Sequence, residues 1–578
     1  MTQPYGVRSA DLGLALLTWA SLLLCIAAPA SAQRIRPADE RPSLEDFLPE
    51  EEPEPSLALP PIPLPEPEES EQLSTGIRVY VEEIRVIGSS VFSEAELAQL
   101  TARFTGRELS SEELIEARDA ITQHYIAQGY ITSGAVLPDQ SVSDGIIEFQ
   151  VIEGTLAEIS IEGERYFRPR YLRERLELAA RGPVNLRELE QRLQLLQADP
   201  RILRLHAQLS PGEVRGESFL AVEVEEDSPY KLSFHASNEE PPSIGSERGE
   251  VQAEHHNLTG NGDILRSYYG FTEGLDDVGV RYGLPLNEYD TTLALEFRTS
   301  ESDVVESPFD DLDIESESTT YGIGLKHPVY RRPGQELWVG VLGELRRTKT
   351  SVLGEGFPFL GSGAEEDGRT KASVLRVFQE WTSRSRNYVV AARSTFSFGL
   401  DIFDASDFDP PPSSDVPEPD ATFFSWLGQF QWAYRLPEHY RGTQLVFRTD
   451  LQLSADPLLS MEKIAVGGGS TVRGYVENEL VRDSALISSL EFRIPIVRDE
   501  LGGDILQLAP FADFGHAWND DQNTGPKTIA SLGVGLRWWL SERLFVSGYW
   551  GGRLRHVKSR TSDIQEHGFH LQATLAVF

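Results

Sequence analysis

Leu293-Ala294-Leu295-Glu296-Phe297-Arg298 sets an apolar side chain against a small or charged one at every step. Side chains on a strand alternate between faces, so this stretch has one oily face and one polar face. Leu337, Val339 and Val341 repeat the pattern, as do Phe396, Phe398 and Leu400 against Thr395, Ser397 and Gly399. Leu445, Phe447, Leu451 and Leu453 oppose Arg448, Asp450, Gln452 and Ser454. Hydrocarbon on one face and charge on the other suit a barrel wall between lipid and a wet lumen. A soluble sandwich alternates too, so size arbitrates: residues 228–578, at roughly 22 per strand and connection, predict about 16 strands. Trp338, Trp381, Trp426, Trp432, Trp538, Trp539 and Trp550 are expected to form interfacial girdles, and the acidic or Pro-rich stretches 301–319 and 401–420 to be outer loops.

Composition narrows the remaining classes. Of 578 residues 91 are acidic and 52 basic, a net charge of −39, which argues against a general nucleic-acid binder. The single cysteine, Cys25, removes any disulfide framework or multi-cysteine metal site. Residues 1–32 read as an export signal: Arg8, an apolar run over 12–28, then Ala30-Ser31-Ala32 as cleavage pattern. No later segment has about 18 consecutive apolar residues, so no second spanning helix is expected. Residues 33–76 hold ten Pro and twelve acidic residues against three Arg, the composition of an extended linker of polyproline II character. Within it Ser43-Leu44-Glu45-Asp46-Phe47-Leu48 suffices for one or two helical turns before Pro49.

Residues 77–227 repeat at an offset of 75. Ile84 matches Ile159, Val86 Ile161, Gly88 Gly163, Phe92 Phe167, Leu97 Leu172, Leu114 Leu189 and Ile121 Leu196. Such self-similarity marks a duplicated folding unit, with modules at 77–153 and 154–227. Each reads strand, helix, helix, strand, strand. In the first, 79–87 alternates as one strand. Ser93 with Glu96 and Ser110 with Glu113 are capping boxes, and Gly129 stops the second helix. In the second, Pro169 suits a helix start, and Asn185 with Glu188 caps the helix of Leu189, Leu193 and Leu196.

The stretches Gly129-Tyr130-Ile131-Thr132-Ser133, Val136-Leu137-Pro138 and Gly145-Ile146-Ile147-Glu148 resemble the first POTRA domain of two-partner secretion transporters (the TpsB family). The second module, ending Leu209-Ser210-Pro211-Gly212-Glu213-Val214-Arg215-Gly216, resembles their second. The resemblance implies that these α+β domains sit in the periplasm and receive an unfolded substrate, with Tyr130, Pro138 and Gly145 as contacts. A small open sheet can take an extended chain on its edge.

Gly467-Gly468-Gly469-Ser470-Thr471-Val472-Arg473-Gly474-Tyr475 lacks the Gly-Lys-Ser/Thr of a phosphate loop. Val472-Arg473-Gly474-Tyr475 instead looks like the tip of the sixth extracellular loop of the outer-membrane assembly-factor superfamily, which folds back into the barrel. Phe511-Ala512-Asp513-Phe514-Gly515 resembles that superfamily's Phe-x-Asp-x-Gly strand motif. Phe511, Asp513 and Gly515 share one strand face, with Gly515 expected to leave space beside the carboxylate. By carry-over Arg473 pairs with Asp513 and latches the loop inside the channel. The terminal Phe578 resembles the aromatic ending of outer-membrane proteins, although it is out of phase with Phe569, Leu571, Ala573 and Leu575.

His255 and His256 are adjacent and point to opposite faces, so no metal site is expected. No nucleophile–base set has motif support, and no cofactor is implied. The resemblance implies a signal peptide, a linker, two POTRA modules and an antiparallel barrel from 228. It implies a monomeric, non-enzymatic pore in the bacterial outer membrane, in contact with lipid and not nucleic acid, that secretes a large unfolded partner of adhesin or haemolysin type. The alternative is an assembly factor that inserts other barrels, a class usually bearing three or five POTRA units.

Overall fold

The computed structural model describes residues 78–578 except 143, 360–361, 407–418, 441, 501, 520–526 and 558–562. The expected signal, the linker with its short helix, and most of the stretch 401–420 lie outside the described residues. The described residues fall into two compact units: 78–229 with 257–262, and 230–256 with 263–578.

The first unit contains both repeats. Repeat one comprises β1 (Arg78–Val81), β2 (Glu83–Ile87), α1 (Glu94–Thr101), β3 (Arg107–Ser110), α2 (Ser111–Ala127), β4 (Gly134–Val136) and β5 (Ile146–Ile152). The single strand expected over 79–87 is two strands. β1 pairs antiparallel with β3, whereas β2 pairs parallel with β5, so the chain changes partner at Glu82. Repeat two comprises β6 (Thr155–Glu162), α3 (Pro169–Glu177), α4 (Leu186–Gln197), β7 (Ile202–Pro211) and β8 (Glu217–Glu226). Its sheet order is β6-β8-β7, against β2-β5-β4 in repeat one. The Ser110–Glu113 box closes in both directions. Ser93 accepts from Glu96 N, but the Glu96 carboxylate turns to His124 at 3.3 Å, and the Asn185 side chain caps through Arg187 N.

The duplication extends to a carboxylate that the fixed offset does not reveal. Gly88 and Gly163 leave their strands at φ +85° and +87°, and a Cβ on either would meet the carbonyl oxygen of Val151 or Val224 at 2.7 or 2.5 Å. The loop that follows folds over the end of the last strand. Glu153 accepts from Ser90 N (2.8 Å), Val91 N (3.0 Å), the Ser90 hydroxyl and Tyr125 OH (3.0 Å). Glu226 accepts from Arg165 N (2.8 Å), Tyr166 N (3.1 Å) and Phe167 N (3.1 Å). Below these caps lie two apolar cores, one around Tyr125, Phe149 and Leu97, the other around Leu172, Leu189 and Leu193.

The second unit is a closed antiparallel barrel. Its strands run β9 (Tyr230–Ser237), β10 (Arg248–His256), β11 (Ile264–Phe271), β12 (Leu275–Pro285), β13 (Thr292–Asp303), β14 (Ile314–Arg332) and β15 (Gln335–Val352). The two-residue β16 (Glu355–Gly356) pairs back on β15, and β17 (Arg369–Ser385), β18 (Tyr388–Leu400), β19 (Phe424–Arg435) and β20 (Gln444–Ser454) follow. Beyond a long loop with its own hairpin, β21 (Ile464–Val466) and β22 (Leu480–Arg482), come β23 (Ser484–Arg498), β24 (Asp504–Trp518), β25 (Thr528–Ser541), β26 (Leu544–Arg553) and β27 (Phe569–Ala576). Setting aside β16 and the loop hairpin, 16 strands form the wall, and β27 pairs with β9 to close it.

Leu295, Phe297, Phe398 and Leu453 are exposed on the outer surface, while Thr395, Ser397, Asp450 and Gln452 are buried inside. The loop expected over 301–319 is shorter, residues 304–313. Residues 301–303 and 314–319 belong to β13 and β14, which continue past the apolar band by setting Ser300, Ser316 and Ser318 inward against the outward Glu315 and Glu317. Trp381, Trp538 and Trp550 are exposed outward. Trp338 and Trp539 face inward instead: Trp338 Nε1 donates to Glu336 (2.9 Å) and the Arg537 guanidinium sits 5.4 Å from the Trp539 ring centre. His256 turns in to Glu254, and His255 packs its ring on Tyr230.

Burial raises the Glu153 pKa, but hydrogen bonds from Ser90, Val91 and Tyr125 outweigh it and hold the carboxyl below its ordinary value. Its contribution is therefore present above the ordinary carboxylate range and lost as pH falls through the lowered value. Glu153→Ala is expected to cost about 1–3 kcal/mol locally. Amide exchange of the detergent-solubilised chain at Ser90 and Val91 should be faster than wild type at neutral pH, and the difference should close in acid.

Candidate functional site

The loop over 455–483 turns into the barrel, and its tip touches every strand from β23 to β27. Arg473 donates to Asp513 on β24 three times: Nε to Oδ2 (2.8 Å), Nη2 to Oδ1 (2.9 Å) and its backbone N to Oδ2 (3.0 Å). Nη1 donates to Glu491 on β23, and Nη2 also reaches the Ser489 hydroxyl at 3.1 Å. The guanidinium lies 3.7 Å from the Phe511 ring centre and 4.7 Å from that of Tyr549 on β26. Arg473 and Asp513 are 7% and 3% exposed, so this is a charge pair withdrawn from water with its donors and acceptors satisfied.

Each residue of the two motifs has a contact that requires its type. Asp513 takes the fork of the guanidinium, which an ammonium cannot offer. Phe511 stacks beneath it. The space at Gly515 is not beside the carboxylate, as its strand face suggested. A Cβ there would meet Val466 Cγ1 at 2.4 Å and Val472 Cγ2 at 3.0 Å, so the loop itself fills it. Val472 is fully buried in the cluster of Val466, Ile487 and Ile529. Gly474 has φ +94°, and a Cβ would strike Gly551 O at 2.7 Å. Its N–H donates to His570 Nε2 (3.0 Å) and its carbonyl accepts from Arg553 Nε (2.6 Å). The Tyr475 hydroxyl lies 2.9 and 2.8 Å from the carbonyl oxygens of Ala530 and Arg555.

Several partners escaped sequence reasoning. Glu491 is held by Arg493 Nε (2.8 Å) as well as by Arg473; its alternation with Leu490 and Phe492 marks it as inward, but no spacing names its partner. Gln565 accepts from Glu477 N at 2.9 Å. Beside the tip is a cavity of about 190 Å³ lined by Glu239, Arg448, Asp450, Arg493 and Arg537 among others.

The residues expected to meet substrate in the first repeat each have their own local contacts. Tyr130 is partly buried and packs edge-on to Phe92 and Tyr125 at 6.0 and 6.1 Å, a core position. Gly145 (φ +72°) accepts from Glu82 N at 2.8 Å and immediately precedes β5. Pro138 follows β4, its carbonyl 3.4 Å from Gln140 Nε2.

A family model described as haemolysin secretion/activation protein ShlB/FhaC/HecB matches residues 216–538, and one for the ShlB-type POTRA domain matches 79–154. The outer membrane transporter CdiB of Dickeya dadantii (strain 3937) is 22% identical over 482 residues, 81% of this chain and 82% of that protein. The solved structure of CdiB from Escherichia coli superposes with a TM-score of 0.66 at 20% identity, covering 99% of this chain and all of the other. BamA from Haemophilus ducreyi lacking POTRA domains 1–3 superposes at 0.51 and 14% identity, over 86% of this chain and all of that one. Both likenesses concern the fold.

Removing Arg473 strands Asp513 and leaves Glu491 with Arg493 alone. Breaking a buried pair in this way costs about 3–5 kcal/mol, here charged to the docked loop because the barrel ladders are untouched. Arg473→Ala is expected to insert and to keep its heat-modifiable mobility on gels, while protease added outside the cell cuts loop 455–483 and export is lost. Arg473→Lys should recover only part of the protection.

Proposed function

We propose, from the premise that this chain belongs to the haemolysin secretion/activation family ShlB/FhaC/HecB, that it is an outer-membrane pore passing one large, unfolded partner protein from periplasm to cell surface. The strands cross the bilayer, the two repeats are its periplasmic POTRA domains, and the loop over 455–483 is its sixth extracellular loop. The carrying observation is the docked loop: a wall with an oily exterior and a polar interior, and across that interior a strap fixed by Arg473.

The repeats offer edges for the incoming chain. β7, ten residues long, is the edge of its sheet, and an extended partner can add to such an edge through backbone hydrogen bonds. Pro138, beside the short edge β4, is a contact for the same partner, and Tyr130 and Gly145 support the repeat around it. Adhesins and haemolysins of extended β form suit this route, because they can thread as strands and fold outside. The pore acts as a monomer embedded in lipid, and the Arg473–Asp513 clasp fixes the conformation competent for transport.

Two POTRA modules and the ShlB-type match favour secretion over insertion of other barrels. Detergent-extracted protein is expected to form conductive pores in planar bilayers and to bind an amino-terminal fragment of its partner. Deleting the gene should trap that partner in the periplasm. A partner still reaching the surface in the deletion strain would overturn the reading.

A further inference from the structure

The loop over 455–483 has a second ionic attachment, on the opposite side of its own strands from the tip. Its descending stem makes a short helical turn at Ser460–Glu462. The Glu462 carboxylate has no exposed surface. It accepts from Arg346 Nη1 on β15 at 2.6 Å and from Arg376 Nη2 on β17 at 3.0 Å to each oxygen. Arg346 Nη1 also reaches Met461 O at 2.9 Å. Around this cluster the stem residues Leu458, Leu459 and Met461 pack on Ala372 and Val374 of β17. The tip is thus tied to strands that follow the loop, the stem to strands that precede it.

The two attachments differ in what happens when they part. All three bonds described above for the Asp513 carboxylate come from Arg473, so withdrawing the tip leaves a buried, uncompensated charge. The stem has a substitute in place. Glu344, inward on β15 two residues before Arg346, already accepts from Arg376 Nε at 2.5 Å, and Arg376 Nη1 donates to Ser397 Oγ at 2.7 Å. When Glu462 leaves, Glu344 remains among the guanidiniums while the freed carboxylate moves to water with the loop. A carboxylate that stays on Arg376 when Glu462 leaves lowers the cost of opening this side.

We propose that Glu462 is a positioning residue that locks the stem of loop six against the β15–β17 wall in the resting pore, and that this lock releases to Glu344 during export while the Arg473 tip stays seated. The proposal rests on the transport reading above, but its first test needs no passenger. Glu462→Gln removes the charge that holds the stem, so ion conductance of the partner-free pore in planar bilayers should rise severalfold. Glu344→Gln removes the receiving carboxylate and leaves both arginines to Glu462, so conductance should not rise and export should slow. A residue of purely structural value would shift both variants in the same direction.

Both are read on inserted, heat-modifiable protein. Should Glu462→Gln fail to insert, Glu462→Asp, which shortens the reach, carries the same prediction with a smaller rise. Equal conductance of the Glu462 variant and wild type, or a matching rise in Glu344→Gln, would overturn the lock. Failure of the unmodified chain to export any partner would count against the transport reading instead.

Discussion

In hydrocarbon no water satisfies a backbone N–H or C=O, so a sheet that crosses a membrane must have no open edge. Here the obligation falls on the meeting of β27 with β9, where the ladder runs only from Gln572–Ser237 to Ala576–Ser233. Leu232 prolongs it, donating to Phe578 O at 3.3 Å and accepting from Val577 N at 2.8 Å. Side chains carry the rest. Asn238 accepts from Leu571 N (2.6 Å) and donates to Phe569 O (2.9 Å). Gln565 Nε2 donates to the carbonyls of Asn238 (2.5 Å) and Glu240 (2.7 Å). The other end of that same amide receives Glu477 N from the loop, and His570 on β27 receives Gly474 N. Closure of the wall and docking of the loop therefore share residues, and the strap braces the short seam.

This sharing explains why the loop's chemistry is concentrated in one arginine. A docked loop inside a wet barrel must hold against water, and scattered neutral hydrogen bonds exchange with solvent at little net gain. A guanidinium fixed by two carboxylates and stacked on two rings does not. The aromatic pair of Phe511 and Tyr549 shields it, and Gly515 brings Val466 and Val472 close enough to keep the hairpin base dry.

The sequence carried the barrel because alternation and length are local properties. It carried the Arg473–Asp513 pairing only through resemblance, since forty residues and two strands separate the partners. Glu491, His570 and Arg553 were not legible, because an inward polar position on a strand is common and its partner depends on register, and Gln565 was not, because it sits in a short turn between two strands. The repeats show the same boundary. Offset 75 aligns Ser90 with Arg165 and Phe92 with Phe167, but the capping carboxylates Glu153 and Glu226 stand 73 apart, so a fixed offset passes over them. Trp338 and Trp539 failed as girdle residues because tryptophan also fills polar interiors where a carboxylate or guanidinium meets its ring. The loop over 304–313 looked longer than it is because beyond lipid a strand no longer needs an apolar outer face, and the serine–glutamate alternation on its flanks is strand sequence for water on both sides.

What remains is how a chain moves through such an interior without a nucleotide. The inward wall is rich in Arg, Glu, Ser and Gln, and many of those groups are already paired with one another, as Arg376 is with Glu344 and Glu462, or Arg493 with Glu491. An unfolded passenger sliding past gains little by bonding to satisfied groups and loses little by leaving them. A flat energy profile of this kind offers no trap, so in the proposed function direction comes from the two ends: capture on a sheet edge on the periplasmic side, and burial of apolar surface as the passenger folds outside, where backsliding would require re-exposing it. The same pairing that makes the wall inert makes its few exchangeable contacts, those at Glu462 above all, the places where passage can be controlled.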